Sequence, residues 1–413
     1  MKRLRIALCI LILALLVPLL LHARQVLPMD PRPLVAEKYA GWSGVLRLWV
    51  FEGWPCGGGT FAPWLNRCIA GFEKRHPGVY VQPRYVDAGA FALLNDSGAL
   101  PPDMILFPPG LLDSPEGLLP LETPDGLRPA LIQSGSRNGS LYAAPVAMGG
   151  YAWAWNAELL DRLPDTWRDS GATLAVPEPE DWRRWDAALL ALCSGRYGEG
   201  SGEAGGEPDD PAPLGVDLGL VEDATPVPEA TPTPDPGDTL PRRLPEGFQY
   251  DGDAWRHFIN GEAAAMPVTQ REVRRLQRLA EQGRGPDWRL SPGDAAFTDQ
   301  LLSLAIVDRE DAAEQRSLCV EFLACLLSDE AQGALHSVGA FSVTGAPSGY
   351  DAGDPLAAME VGLRREGLAA PNSLDAGWPD GAEKIVREFI SDSGDAPELW
   401  RRFKAMLGQK AND

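Results

Sequence analysis

"FEKRHPGVYV", residues 72–81, sets a charged helix end, a His-Pro-Gly stop and an alternating apolar run within ten residues. The residue before a proline is pushed out of the α region and glycine tolerates the turn that follows, so His76-Pro77-Gly78 ends a helix. Val79 and Val81, with Tyr85 beyond them, resume at strand spacing. A helix that stops and restarts at once as a strand is half of a βαβ unit, in which the helix returns the chain to its own sheet.

The flanking sequence supports that unit on both sides. "VLRLWVF" (45–51) is nearly continuous in apolar side chains, as a strand covered on both faces of a parallel sheet requires. Leu65, Cys68, Ile69 and Phe72 then fall at i, i+3, i+4 and i+7, with Pro63 suited to a first helical turn. Glu73, Lys74 and Arg75 are expected to face water. A short helix over 88–94 leads to "PPDMILF" (101–107), a further buried strand. The run βαβαβ predicts an α/β architecture.

"GSLYAAPVAMGGYAWAWN" (139–156) reads as two extended segments joined over 145–150, the second with Tyr151, Trp153 and Trp155 on one face. Helical spacing follows at 157–163 and 181–193. In "DAWRHFINGEAAAMPV" (253–268) a helix ends at Gly261 and a short strand follows. Beyond lie a helix over 270–282, the strand "LLSLAIV" (301–307), and helical stretches over 312–327, 329–335, 355–365 and 382–407.

The chain of 413 residues has room for two domains. Its hydrophobic share of 45% and charged share of 23% are ordinary, but its net charge of -21 is not. Between residues 199 and 251 thirteen Asp or Glu stand against Arg242 and Arg243, a local balance of -11. Such acidity repels phosphates and anionic membrane surfaces, and no Lys/Arg stripe offsets it, which excludes nucleic acid as the main partner. Residues 195–250, including "TPVPEATPTPDPGDT" (225–239), form an acidic Pro/Gly-rich excursion expected to be disordered, because it buries too little apolar area to offset ordering entropy.

Lys2, Arg3 and Arg5 precede an apolar run over 6–21, the layout of a secretory signal. Residues 1–23 are therefore expected to be a signal peptide or, since Leu21-His22-Ala23 is a poor cleavage site, a signal anchor, with the rest extracytoplasmic. Outside the apolar run five cysteines remain, an odd set; Cys56 with Cys68 is the leading bridge for an oxidising compartment, with buried thiols the alternative. The four histidines are scattered, and no His-Glu-x-x-His, Gly-x-Ser-x-Gly or Cys-x-x-Cys occurs. Gly200, Gly202 and Gly205 match Gly-x-Gly-x-x-Gly but follow no strand. No cofactor, no metal and no catalytic constellation is expected.

Six pieces, in order, resemble one family: "FEKRHPGVYV" for its Phe-x-x-x-x-Pro-Gly and strand, "PPDMILF" for its Pro-Asp strand, "GSLYAAPVAMGGYAWAWN" for its Tyr-x-x-Pro and aromatic-Asn hinge strand, "LPDTW" (163–167) for its Pro-x-Thr-Trp, "FINGEAAAMPV" (258–268), with one extra alanine, for its Phe-x-x-Gly-x-Ala-Ala-Met, and "EFLACLLSDEAQGALHSVGAFSV" (321–343) for its Phe-Leu, Ser-x-Glu-Ala-Gln and late Gly-x-Phe. This resembles the extracellular solute-binding proteins of sugar-type ABC importers, in the branch that includes maltose-binding protein. The resemblance spans roughly residues 45–407 without the excursion. It implies a bilobal periplasmic-binding-protein-like fold, two α/β lobes with a ligand cleft at the hinge. Residues 45–145 would begin lobe 1, 146–194 would begin lobe 2, 251–310 would complete lobe 1, and 311–409 would complete lobe 2 with the C-terminal helices.

The resemblance also implies a function: a monomeric receptor, not an enzyme, that captures a small polar solute, a saccharide, and passes it to ABC permease subunits. Family members usually carry ordered helices where this chain has its acidic excursion. That departure keeps a second reading open, a non-transport sensory or protein-interaction module on a degenerate solute-binding fold.

Ligands of open α/β sheets lie at the carboxyl ends of the strands. There "EGWPCGGGT" (52–60) offers Trp54 to stack on a sugar ring and Glu52 to accept hydroxyl hydrogen bonds, or else forms a rigid surface loop; its glycine N–H groups at a helix start would also suit an anion. Asp87 is either a cleft acceptor or a helix N-cap. Tyr151 touches ligand by family position, or sits in a core stripe. Met148, Thr269 and Gln270 occupy family cleft positions, the last two offering neutral hydrogen bonds or capping a helix. Trp378 in "DAGWPDG" (375–381) is a late aromatic available for stacking, whereas Asp103 reads as structural.

Overall fold

The computed structural model describes residues 41–87, 101–161, 175–177, 249–251, 254–291, 296–309, 312–364, 367–390 and 396–409, together with Ala188, Leu190 and Leu192. The longer strands are β1 (Gly44–Val50), β2 (Val79–Tyr85), β3 (Met104–Phe107), β4 (Ala143–Met148), β5 (Tyr151–Asn156), β6 (Ala175–Pro177), β7 (Gln249–Asp251), β8 (Ala265–Thr269), β9 (Trp288–Ser291) and β10 (Leu301–Ile306). The longer helices are α1 (Ala62–Arg75), α2 (Ala254–Ile259), α3 (Gln270–Glu281), α4 (Ala313–Leu326), α5 (Asp329–Gly333), α6 (Pro355–Leu363), α7 (Trp378–Ile390) and α8 (Ala396–Gln409). No helix among the described residues is long and apolar enough to cross a membrane.

Five strands form the first sheet, in the order β2-β1-β3-β10-β4. β1 pairs in parallel with β2 and β3, as the βαβαβ reading requires, while β10 runs antiparallel between β3 and β4. Pro83 sits in β2, at the edge, where a missing N–H leaves no partner strand short of a donor. Leu46, Leu48 and Val50 enter the main core under Trp64, Leu65, Ile69 and Phe72 of α1. Trp49 and Phe51, one residue out of phase, pack on the opposite face with Ile105, Phe107 and Leu374. The continuous apolar run thus serves a sheet covered on both sides.

The turn at residues 76–78 forms as its composition dictates. His76 N–H donates to Phe72 O at 3.0 Å, its ring lies 4.3 Å from the Phe72 ring, and Gly78 takes φ 95°, in the left-handed region. Glu73 and Arg75 do not simply face water. The Glu73 carboxylate accepts the Val81 N–H at 2.9 Å, tying helix end to returning strand, and Arg75 donates to Cys325 Sγ at 2.8 Å.

In the second sheet β5 lies between β8 and β9, antiparallel to both. β6 and β7 pair in parallel. Residues 265–291 therefore build the second sheet, and the expectation that 251–310 completes lobe 1 holds only for β10. Likewise α4 and α5 do not belong to lobe 2: Trp64 of α1 donates to Ala331 O at 2.8 Å, and Phe72 meets Phe322 edge to face at 5.2 Å. Amphipathic spacing shows that a helix has a buried face but not which sheet that face covers. The second lobe regains the chain at α7 and α8, which cover Tyr151, Trp153 and Phe297.

Three local expectations change. The joint between β4 and β5 is Gly149-Gly150 alone, because Pro145 stays in strand and its missing N–H is absorbed by a register shift opposite Leu302 and Ser303. Residues 157–159 form a turn instead of a helix start, since Asn156 Oδ1 accepts the Glu158 N–H at 2.9 Å. The stretch 382–407 divides into α7 and α8. Of the helix expected over 181–193, Ala188, Leu190 and Leu192 are described, and all three are buried in the second-lobe core. The signal segment, the helix over 88–94, "LPDTW" and residues 195–248 of the excursion lie outside the described residues, whereas Gln249 and Tyr250, expected to be disordered with it, are paired in β7.

Candidate functional site

The chain passes between the sheets at three places, and the candidate site gathers there. Gly149-Gly150 joins β4 to β5, residues 297–300 lead into β10, and residues 369–373 run beside them. Gly149 N–H donates to Gln300 O at 2.7 Å, and Thr298 Oγ1 donates to Gly149 O at 2.8 Å. Gly150 N–H donates to Gln270 Oε1 at 3.1 Å, and Gln270 Nε2 donates to Gln300 Oε1 at 2.8 Å. A Cβ on Gly149 would fall 2.3 Å from Gln300 Oε1 and 2.4 Å from Gln270 Nε2, so this approach needs glycine. On the third strand, Thr298 N–H donates to Ala369 O at 3.0 Å, while Asn372 Nδ2 reaches Ser136 O at 2.7 Å and Ser303 Oγ lies 2.9 Å from Ser373 Oγ.

This geometry settles where each expected residue stands. Gln270 is fully buried, with its amide oxygen and nitrogen both engaged in the hinge. Thr269 is the N-cap of α3 in a capping box: Oγ1 accepts the Arg271 N–H, and Glu272 takes both the Thr269 N–H and its hydroxyl proton. Tyr151 stacks on Phe297 and donates its hydroxyl to Asp299 Oδ1 at 2.7 Å. Met148 is buried, its sulfur 2.6 Å from a guanidinium nitrogen of Arg128. Burial and the neighbouring Arg364 cation lower the Arg128 pKa to about 10.

The loop after β1 is more structural than its composition suggests. Glu52 accepts Thr60 Oγ1 at 2.8 Å and the Phe61 N–H at 3.0 Å, which puts its charge at the start of α1, where the helix lacks a side-chain cap of its own. Trp54 is only 4% exposed; its indole N–H donates to Leu301 O at 3.0 Å, and its ring meets Phe61 edge to face at 4.8 Å. It therefore offers no open face for stacking in this conformation. The glycine N–H groups are also spent, those of Gly57, Gly58 and Gly59 donating to Gly339 O, Val338 O and Cys56 O. These three N–H groups are therefore not free to bind the anion expected there. Cys56 and Cys68 are both buried free thiols, and the bridge between them is not formed.

Two contacts bring the lobes together. Trp378 is 3% exposed, not the open aromatic expected: at the start of α7 in the second-lobe core, it reaches the loop after β3, where a Cβ on Gly110 would lie 3.5 Å from its Nε1. On the other side a Cβ on Gly57 would lie 2.9 Å from Arg274 Cγ of α3. Asp87 is exposed two residues past β2, at the carboxyl end of the first sheet. Asp103 is structural as expected, accepting the Arg47 N–H at 2.7 Å and pairing with Arg309 at 2.9 Å. No group of His, Cys, Asp and Glu able to hold a metal ion occurs among the described residues.

Sequence reasoning missed Thr298, Asp299 and Gln300. Their signal was the polar triplet directly before the buried strand "LLSLAIV", the counterpart of the Gly-Gly pair after β4.

No protein-family model matches the chain, and no curated protein does. Solved structures do. A family 1 extracellular solute-binding protein from Bifidobacterium longum subsp. infantis is similar with a TM-score of 0.57 and 15% identity, over 89% of this chain and 100% of the other. The cyclic alpha-maltosyl-1,6-maltose binding protein of Arthrobacter globiformis gives 0.54 and 12% over 90% and 100%. The GacH receptor of Streptomyces glaucescens, solved unliganded and with acarbose, gives 0.49 and 14% over 90% and 99%. With its antiparallel return strand, its three crossings and the first two of these likenesses, the chain has the two-lobed fold of the extracellular solute-binding proteins.

Proposed function

We propose that this protein is an extracytoplasmic solute receptor that captures a small polar ligand, a saccharide, between its lobes and hands it to the membrane subunits of an ABC importer. It works as a monomer, without covalent chemistry, and the N-terminal apolar segment directs or tethers it outside the cytoplasm. The observation that carries the reading is the glycine hinge at Gly149-Gly150, crossed by neutral amide and hydroxyl hydrogen bonds, between two separately paired sheets. Such a joint lets lobes close on a ligand by small backbone rotations. One of the similar structures is described as binding a cyclic maltosyl-maltose, which favours an oligosaccharide ligand here.

Trp378 is 3% exposed and, like Trp54, closed to a sugar in this conformation; it is assigned to the sugar face because its indole reaches the first-lobe loop at Gly110, so lobe opening would uncover it. Asp87 and the Tyr151–Asp299 pair supply hydroxyl partners from the two sides. The test is thermal unfolding of the full chain across a panel of mono-, di- and oligosaccharides. A ligand at about 100 times its Kd adds roughly 2.7 kcal/mol, so the Tm rises by about 5 °C with one class of sugar. A flat panel, together with specific capture of another envelope protein, replaces the transport reading with the protein-interaction one.

A further inference from the structure

α1 and α4 pack face to face on the first sheet, and their contact repeats along one ridge. Phe72 meets Phe322 at 5.2 Å, and one turn away Cys68 meets Cys325, whose Sγ lies 3.8 Å from the Cys68 carbonyl oxygen. Residues four apart on one helix and three apart on the other share a face, so both pairs belong to the same contact. Cys68 is buried, while Cys325 is half-buried with the Arg75 guanidinium 2.8 Å from its sulfur. Burial and then the neighbouring Cys325 push the Cys68 thiol up to about 12. The other described thiols have different surroundings: Cys319 lies near Asp103 and Arg309, and Cys56 near Glu52.

We propose that Cys68 and Cys325 form a disulfide that staples α1 to α4 when the chain meets a disulfide oxidant. The pairing rests on geometry and is independent of the transport reading; location decides only whether an oxidant is present. With oxidised glutathione the Cys325 thiolate attacks one glutathione sulfur, and the first glutathione thiolate leaves. The Cys68 thiolate then attacks the Cys325 sulfur of the mixed disulfide and releases the second. Two protons and two electrons pass from the protein thiols to two glutathione thiols. Cys325 reacts first because it is the more accessible of the two. The staple lies on the helix face of the first lobe, away from Gly149-Gly150, so lobe movement is left free.

The test uses the full chain, reduced and then equilibrated with oxidised glutathione, alkylated, and digested with trypsin without reduction. The expected product is a cross-linked pair joining the peptide that begins at Cys68 to the one that holds Cys319 and Cys325. Fragmentation of the wild-type pair places the bond at Cys325, and the pair persists in Cys319→Ser but vanishes in Cys325→Ser. Full alkylation of Cys68 and Cys325 after oxidation overturns the proposal. So does a bond from Cys68 to Cys319 or Cys56. The wild-type map decides the matter even if a variant fails to fold.

Discussion

Gln332 joins four buried hydrogen bonds of the first lobe through one side chain. It is 1% exposed; its Nε2 donates to Val146 O and Leu326 O, and its Oε1 accepts from Ser342 Oγ and the Val343 N–H. One partner, Val146, lies at the register shift beside Pro145, where the strand ladder leaves a carbonyl without its regular donor. Gln332→Leu keeps the volume and strands those partners, so urea unfolding should show a loss of about 3 kcal/mol. A loss under about 1 kcal/mol would mean the knot is not needed. Gly149→Ala drives a methyl group into two buried amides and should cost about 2 kcal/mol while weakening ligand binding. Trp54→Phe keeps the ring but loses the bond to Leu301 O, so stability falls by about 1 kcal/mol and saccharide affinity stays unchanged. A drop in affinity would instead put Trp54 in contact with ligand.

Buried thiols set a pH dependence at the same scale. Burial raises Cys56 to about 11 and both Cys68 and Cys319 to about 12, from an ordinary 9.0. The unfolded chain loses these protons first, so their contribution is complete below pH 9 and is lost as pH rises through 11 to 12. Each thiol removes about 1.4 kcal/mol per pH unit within its window. Stability measured by urea unfolding should fall above pH 9, and Cys56→Ala with Cys319→Ala should flatten that fall.

Among the elements, those defined by short-range rules were legible in the sequence. β1, α1, the stop at 76–78, β2 and β3 follow from periodicity and from Pro and Gly, and the structure pairs them as a parallel sheet. Membership was less legible: α4 and α5 have ordinary buried faces, and nothing local says that Trp64 waits at Ala331 O or that β8 and β9 flank β5. The site was legible as a place more than as a list of side chains. Glycines and polar residues at strand ends marked the hinge, but Thr269, Gln270 and Glu52 proved to be engaged with backbone groups and with the side chains of Glu272, Gln300 and Thr60. Trp378 at the head of α7 remains the element-level test. Trp378→Ala should weaken saccharide binding at least tenfold beyond any loss of stability, as separated by titration at a temperature where the variant is folded.

At the scale of the molecule, the proposed function requires two lobes that move. The two sheets have separate flanking helices, the crossings are short and rich in glycine and neutral polar groups, and Trp378 with Gly110 and Arg274 with Gly57 mark where the lobes meet. On the proposed function an open state exchanges with a closed one, and ligand shifts that balance by binding the closed state more tightly. Small-angle X-ray scattering of the full chain, with and without the saccharide that most raises its Tm, measures that exchange directly. The radius of gyration should fall on saturation in the wild type and fall less in Gly149→Ala. A saccharide that saturates the protein with no change in radius of gyration would contradict capture between closing lobes.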